Sequence, residues 1–207
     1  MGLADQISLR SRRRKYGLFM ETMAPGGETT VLDVGVDDFA FGELSVNEGS
    51  CGTLNFFEEM YPWPERLTAV GQHEGARFRS SYPDARYVQG NALELPFDDG
   101  AFDIVFSNAV IEHVGGEEEQ RRFVAEALRV AERAFITTPN RWFPIEVHTR
   151  LPLVHWLPDA ASHRAYELAR KPWAKRNRLL GPGSFARLFP GEVRVVNLGL
   201  SLVAIVD

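Results

Sequence analysis

The chain has 207 residues, 44% of them hydrophobic and 25% charged, which suits one globular α/β domain with a full core. Its net charge of −5 argues against a general nucleic-acid binder, and its one cysteine, Cys51, excludes an internal disulfide and a multi-cysteine zinc site. No apolar run approaches the ~20 residues of a membrane span, the first residues hold no apolar signal core, and the expected location is the reducing cytoplasm.

The first predicted element is a helix within "ISLRSRRRKYGLFMETM". Ile7, Leu9, Tyr16, Leu18, Phe19 and Met23 take inward positions. The basic run "RSRRRK" lies on its solvated face, with contact to a membrane surface or an anion as the alternative. "TTVLDVG" reads as a short buried strand ending at Gly35. "NFFEEMYP" is a short amphipathic helix stopped by Pro62. "RLTAVG" and "ARYVQG" are the second and third strands. The turn-rich "NALELPFDDGAF" leads into "FDIVFSNAV", the fourth.

"EEEQRRFVAEALRVAER" is a helix with Phe123, Val124, Ala127, Leu128 and Ala131 at helical spacing. Three glutamates sit at its positive end. "AFITTP" is a fifth strand, stopped by Pro139. Residues 140–182 break the rhythm: rich in Pro, Trp, His and Arg, they read as a loop-and-helix cap. A short helix and two strands, "EVRVVNL" and "LSLVAIV", close the sequence. Only "GL" separates those strands, so they form an antiparallel pair. The earlier alternation predicts a mainly parallel sheet with right-handed crossovers.

This layout is similar to the class I S-adenosylmethionine-dependent methyltransferases. "VLDVG" resembles the family's first motif. "YVQGNALELPFDDGAFDIVFSNAVIEHV" resembles its third-to-fourth-strand stretch, and "RVAERAFITTPN" the helix and strand that follow. The likeness covers about residues 29–140. Over the whole chain, "SLRSRRRKYGLF", "NFFEEMYP" and "TTPNRWFPIEVHTRLPLVHWLP" resemble a bacterial methyltransferase-like subgroup with no established substrate class. The resemblance implies a three-layer Rossmann-like fold in one domain over 1–207: a mainly parallel seven-stranded sheet, an antiparallel C-terminal strand, and 140–182 as a cap. It also implies S-adenosylmethionine as cofactor and a small-molecule acceptor methylated at oxygen or nitrogen. Oligomeric state is left open.

By that resemblance Asp33 and Gly35 hold the methionine end of the cofactor. The departure follows at once: Asp37 and Asp38 stand where glycines are usual, and Phe39 and Phe41 add bulk. About 17 residues pass before "NFFEEM", a length that suggests a lid or an extra binding surface. The acid that meets the ribose hydroxyls falls near Gly71, with Glu74 the nearest carboxylate and a solvated loop residue as its alternative. Asn91 replaces the acid that meets adenine; its amide oxygen still accepts a hydrogen bond. Ala92 supplies an apolar wall. Ser107 and Asn108 end the fourth strand, at the edge where ligands of open α/β sheets bind.

Methyl transfer is an in-line displacement on an activated carbon, so positioning supplies much of the rate. A hydroxyl acceptor also needs a base. His113 is the first candidate, with helix capping or strand anchoring by Glu112 and His113 as the alternative. Glu146 and His148 are a second candidate, as an oriented pair. Arg141 suits an anionic group of the acceptor, and Trp142 is placed with it on the substrate side. Trp142, Phe143, Pro144 and Trp156 equally suit an apolar staple for the cap. Glu112, His113, Glu146 and His148 follow no metal-ligand spacing, so no metal is expected. A nicotinamide-dependent dehydrogenase needs G-x-G-x-x-G after the first strand, and "GVDDFAF" does not supply it. A class I fold acting only as a ligand-binding or assembly module stays open.

Overall fold

The computed structural model describes residues 3–38 and 55–207. Phe39, Phe41, Cys51 and most of the long connection lie outside the described residues. Seven strands form one sheet in the order β3-β2-β1-β4-β5-β7-β6: β1 (Val31–Val34), β2 (Leu67–Gly71), β3 (Arg86–Gln89), β4 (Phe102–Asn108), β5 (Ala131–Pro139), β6 (Arg194–Asn197) and β7 (Ser201–Val206). The first five run parallel, and β7 is antiparallel to both of its neighbours, β5 and β6. This is the predicted mainly parallel sheet with a reversed C-terminal strand.

Alternation along the central strands sorts the two faces. Val31, Ile104, Phe106, Phe135 and Val203 pack under α1 (Leu3–Met23), α2 (Phe56–Met60) and α3 (Ala76–Ser81). Leu32, Val34, Val105, Ile136 and Leu202 pack under α4 (Glu117–Val130) and α6 (Pro182–Ala186). Phe57 lies flat on Phe106, ring centroids 4.0 Å apart, with Phe19 edge-on to both. Two helical layers around one sheet give the three-layer domain.

Three sequence expectations need correction. Ile7 is half exposed, because the buried stripe of α1 runs through Lys15, Phe19 and Met23 at i, i+4 and i+8. The α4 helix ends at Val130, and "AER" starts β5, because Ala131 pairs with Phe102 on β4. The C-terminal strands are shorter than read: Leu198, Gly199 and Leu200 form the turn between them, with Gly199 at φ 85°. Between β5 and α6, residues 140–182 hold α5 (Asp159–Leu168) and two short 3₁₀ turns. Val154, Tyr166 and Ala174 make a small cluster of their own there.

Candidate active site

The strand order reverses between β1 and β4, and the carboxyl edge at that switch point is where an open α/β sheet takes its ligand. Gly35, at φ 103°, leaves β1 there. A Cβ on it would stand 2.1 Å from Val110 Cγ2, so the space beside this glycine is filled by a side chain from the segment after β4. Ala109, between β4 and Val110, is itself held at φ 60°. The two aspartates that replace glycines have structural partners. Asn55 accepts from the Asp37 N–H at 2.9 Å and donates to the Asp37 carbonyl at 2.8 Å. Asp38 Oδ1 accepts from the Phe78 N–H at 2.8 Å, in the first turn of α3.

Beneath Gly35 lies a small hollow of about 20 Å³, lined by Asp33, Asn55, Phe56, Glu58, Phe106 and Asn108 among others. Asp33 and Glu58 are both buried. Burial and the facing Glu58 carboxyl hold Asp33 well above the usual carboxylate range; burial likewise pushes Glu58 up to about 7. Among the described residues, neither Glu58 oxygen has a well-formed hydrogen bond. Lys15 of α1 is buried and donates to Asn108 Oδ1, which also accepts from Thr137 Oγ1 at 2.9 Å. Burial, and the charge of Arg12 beside it, lower the Lys15 ammonium to about 8, while Glu112 opposes them. Buried acids and a buried ammonium thus border Asn108, a pairing with no motif to announce it. The sequence places Lys15 in the solvated basic run, but its spacing to Phe19 and Met23 puts it on the buried stripe of α1.

The remaining cofactor candidates are spread along the same edge. A Cβ at Gly71 would stand 2.6 Å from Tyr87 Oη and 2.8 Å from the Val36 carbonyl, so no acid fits at the end of β2. Tyr87 donates to the His73 carbonyl at 2.6 Å. Glu74 is exposed on the loop beyond. Asn91 is exposed, and its Oδ1 accepts from the Leu93 N–H at 3.0 Å in a local turn. Ala92 and Leu93 pack against the core. Ser107 is fully buried and donates to the Val34 carbonyl at 2.8 Å, tying β4 to β1.

Beyond β4 and β5 the fold brings together Glu112, His113, Glu146 and His148. Glu112 is fully buried; its Oε2 accepts from Thr138 Oγ1 at 3.2 Å, and its Oε1 has no hydrogen-bond partner among the described residues. That oxygen stands 3.6 Å from His148 Nε2 and 3.8 Å from His113 Nε2. His148 Nδ1 donates to Glu146 at 2.8 Å, and His113 Nδ1 donates to Asn177 Oδ1 at 3.1 Å. Burial works against charge on Glu146, but bonds from His148 and Thr149 outweigh it and bring the carboxyl to about 2. Burial likewise opposes charge on His148, yet Glu112 and Glu146 raise it to about 10. The predicted pairing of Glu146 with His148 is present, and Glu112 joins it from the other side.

Next to this cluster, under residues 140–182, lies a cavity of about 340 Å³ lined by Arg141, His155, Tyr166, Asn177 and Arg178 among others. Asn177 links the cavity wall to His113. Trp142 does not line it; its ring lies over Gly181, and its backbone N–H donates to Asn140 Oδ1 at 2.9 Å. Trp156 donates to the Arg141 carbonyl at 2.7 Å, so these aromatics staple the segment.

A methyltransferase-domain family profile matches residues 48–134. In structure the chain is similar to a protein of Pyrococcus horikoshii OT3, at TM-score 0.57 and 16% identity over 95% of this chain and 89% of that one. It is similar to a SAM-dependent methyltransferase from Aquifex aeolicus at TM-score 0.51 and 16% identity, over 93% and 89% of the two chains. A SAM-dependent methyltransferase of Methanosarcina mazei gives TM-score 0.53 and 13% identity over 90% and 95%. At such identities the structural likeness establishes the fold.

Proposed function

We propose that this chain is a class I S-adenosylmethionine-dependent methyltransferase, a reading supported by the methyltransferase-domain match over residues 48–134 and by the fold, and that it methylates an oxygen or nitrogen of a small molecule lying in the cavity under residues 140–182. The observation that carries the reading is the charge pattern at the switch point. Among the described residues Asp33 and Glu58 are buried carboxyls with no salt bridge, and the buried ammonium of Lys15 donates to Asn108, which lines the same hollow as the two acids. A zwitterionic amino-acid group matches that pattern: its ammonium would pair with Asp33 and Glu58, its carboxylate with Lys15. Glu74, Asn91 and Ala92 would meet the nucleoside, while Gly35 and Ser107 keep the strand ends in place. When bound, the cofactor supplies a methyl group already activated by a sulfonium.

The acceptor side falls to the cluster beyond β4. His113, whose side chain is 45% exposed, has Nδ1 occupied by Asn177, which leaves Nε2 to take a proton from the acceptor in the metal-free chain. Glu146 fixes the ring of His148. Arg141 on the cavity wall would hold an anionic group of the acceptor.

Calorimetry with S-adenosylhomocysteine tests the reading. Saturable binding is expected, weakened at least tenfold by Lys15→Met. A second reading, a class I fold that binds a partner without methylating, is favoured by Val110 over Gly35 and by the smallness of the 20 Å³ hollow. The absence of both heat and thermal stabilisation with millimolar ligand would select it.

A further inference from the structure

We propose that Glu112, His113 and His148 form a binding site for one divalent transition-metal ion, and that this ion holds the oxygen of the methyl acceptor. The second half rests on the methyl-transfer reading; the site itself does not.

One donor atom from each of the three residues lies within 4.8 Å of the other two. Glu112 Oε1 is the floor of the site, fully buried, 3.6 Å from His148 Nε2 and 3.8 Å from His113 Nε2. These separations are too long for hydrogen bonds. Donor atoms bound at ~2.1 Å around a tetrahedral ion stand roughly 3.4 Å apart, so a small inward movement closes the triad on an ion. Leaving such a carboxylate oxygen buried without a hydrogen bond is costly, and an ion between the three donors removes that cost.

The outer contacts support the same assignment. A metal-ligating histidine nearly always donates its second ring N–H to a carboxylate or carbonyl oxygen. Here both do: His148 Nδ1 to Glu146 at 2.8 Å, His113 Nδ1 to Asn177 Oδ1 at 3.1 Å. That leaves both Nε2 atoms as the ligating positions facing Glu112. Thr138 fixes the other oxygen of Glu112 at 3.2 Å. Two imidazoles and one carboxylate are borderline donors that suit Zn²⁺, Fe²⁺, Mn²⁺ or Co²⁺, and three protein ligands leave a coordination position open. His113 is 45% exposed, which gives the ion a way in, and Asn177 carries the site to the wall of the 340 Å³ cavity. An acceptor hydroxyl in the open position loses its proton to water more readily than it would when free. Spacing along the chain does not signal the site, because Glu112 and His113 are separated from His148 by more than thirty residues.

The test uses the full chain freed of metal with a chelator, titrated with Zn²⁺, Co²⁺ and Mn²⁺ by calorimetry, with visible absorption followed for Co²⁺. The expected result is one ion per chain for at least one of the three. Affinity should fall at least tenfold in both His113→Ala and His148→Asn. His113→Ala should keep its melting temperature, since that side chain is nearly half exposed, so it remains informative even if His148→Asn unfolds. No saturable binding of any of the three ions, or affinity unchanged in His113→Ala, overturns the site. S-adenosylhomocysteine is titrated into the same preparation. Nucleoside binding without ion binding removes the metal site alone; ion binding without nucleoside binding removes the methyl-transfer reading alone.

Discussion

Asp38 accepts a hydrogen bond of 2.8 Å from the backbone N–H of Phe78, so a carboxylate standing where the glycine motif expects a glycine caps α3. The first turn of a helix leaves N–H groups unpaired, and an aspartate at its positive end satisfies one of them. Asp38→Ala should lower stability by about 1 kcal/mol. Asp38→Asn should recover most of the loss, since its amide oxygen still accepts. Urea denaturation of the two variants against the parent checks both values.

Gly35 is required twice, by its backbone and by its neighbour. Gly35→Ala sets a methyl group 2.1 Å from Val110 Cγ2 and fixes an L-residue at φ 103°. The variant should lose more than about 2 kcal/mol of stability. Adding Val110→Ala should return the steric part and leave the backbone part, roughly 1–2 kcal/mol. A double-mutant cycle read by denaturation separates the two.

The Asp33–Glu58 pair carries a pH signature. The folded value for Glu58 is about 7, above the ordinary 4.5. Between those values the native state binds more protons than the unfolded chain, so the contribution of this group falls as pH rises from 4.5 through 7. Glu58→Gln removes that titration and keeps a polar group beside Asp33. Its melting temperature should decline less than the parent's between pH 5 and 8. At pH 8 the variant should gain on the order of 1–3 kcal/mol relative to the parent. Melting curves across that range decide it; parallel profiles for the two proteins would show that the pair does not titrate as argued.

Lys15 ties α1 to the end of β4 through Asn108. Lys15→Met keeps the apolar stem and removes a charge whose burial is already unfavourable. Melting temperature should therefore change little, while affinity for S-adenosylhomocysteine drops at least tenfold. Equal loss of both would mark Lys15 as a structural residue only.

Periodicity made the sheet legible. Alternation in β4 and β5, the helical spacing of α4 and the short break between β6 and β7 each report a local geometry. Candidate site residues are legible where they sit at a strand end, as with Asp33, Gly35 and Asn108. Glu58 and Lys15 escaped notice because charged residues in helices are usually solvated, and only tertiary packing places these two inside. The Glu146–His148 pair was readable, being two residues apart. Its approach to Glu112 was not, since that depends on how the segment after β5 folds back over the sheet.

The paired hydrogen bonds between Asp37 and Asn55 have a bearing on how this chain can vary. They join the two shores of the intervening sequence, so its closure is already fixed by contacts outside it. Exchanging residues beyond Asp38 should therefore leave the path from β1 to α2 in place. That makes the stretch the natural place for this scaffold to acquire new specificity.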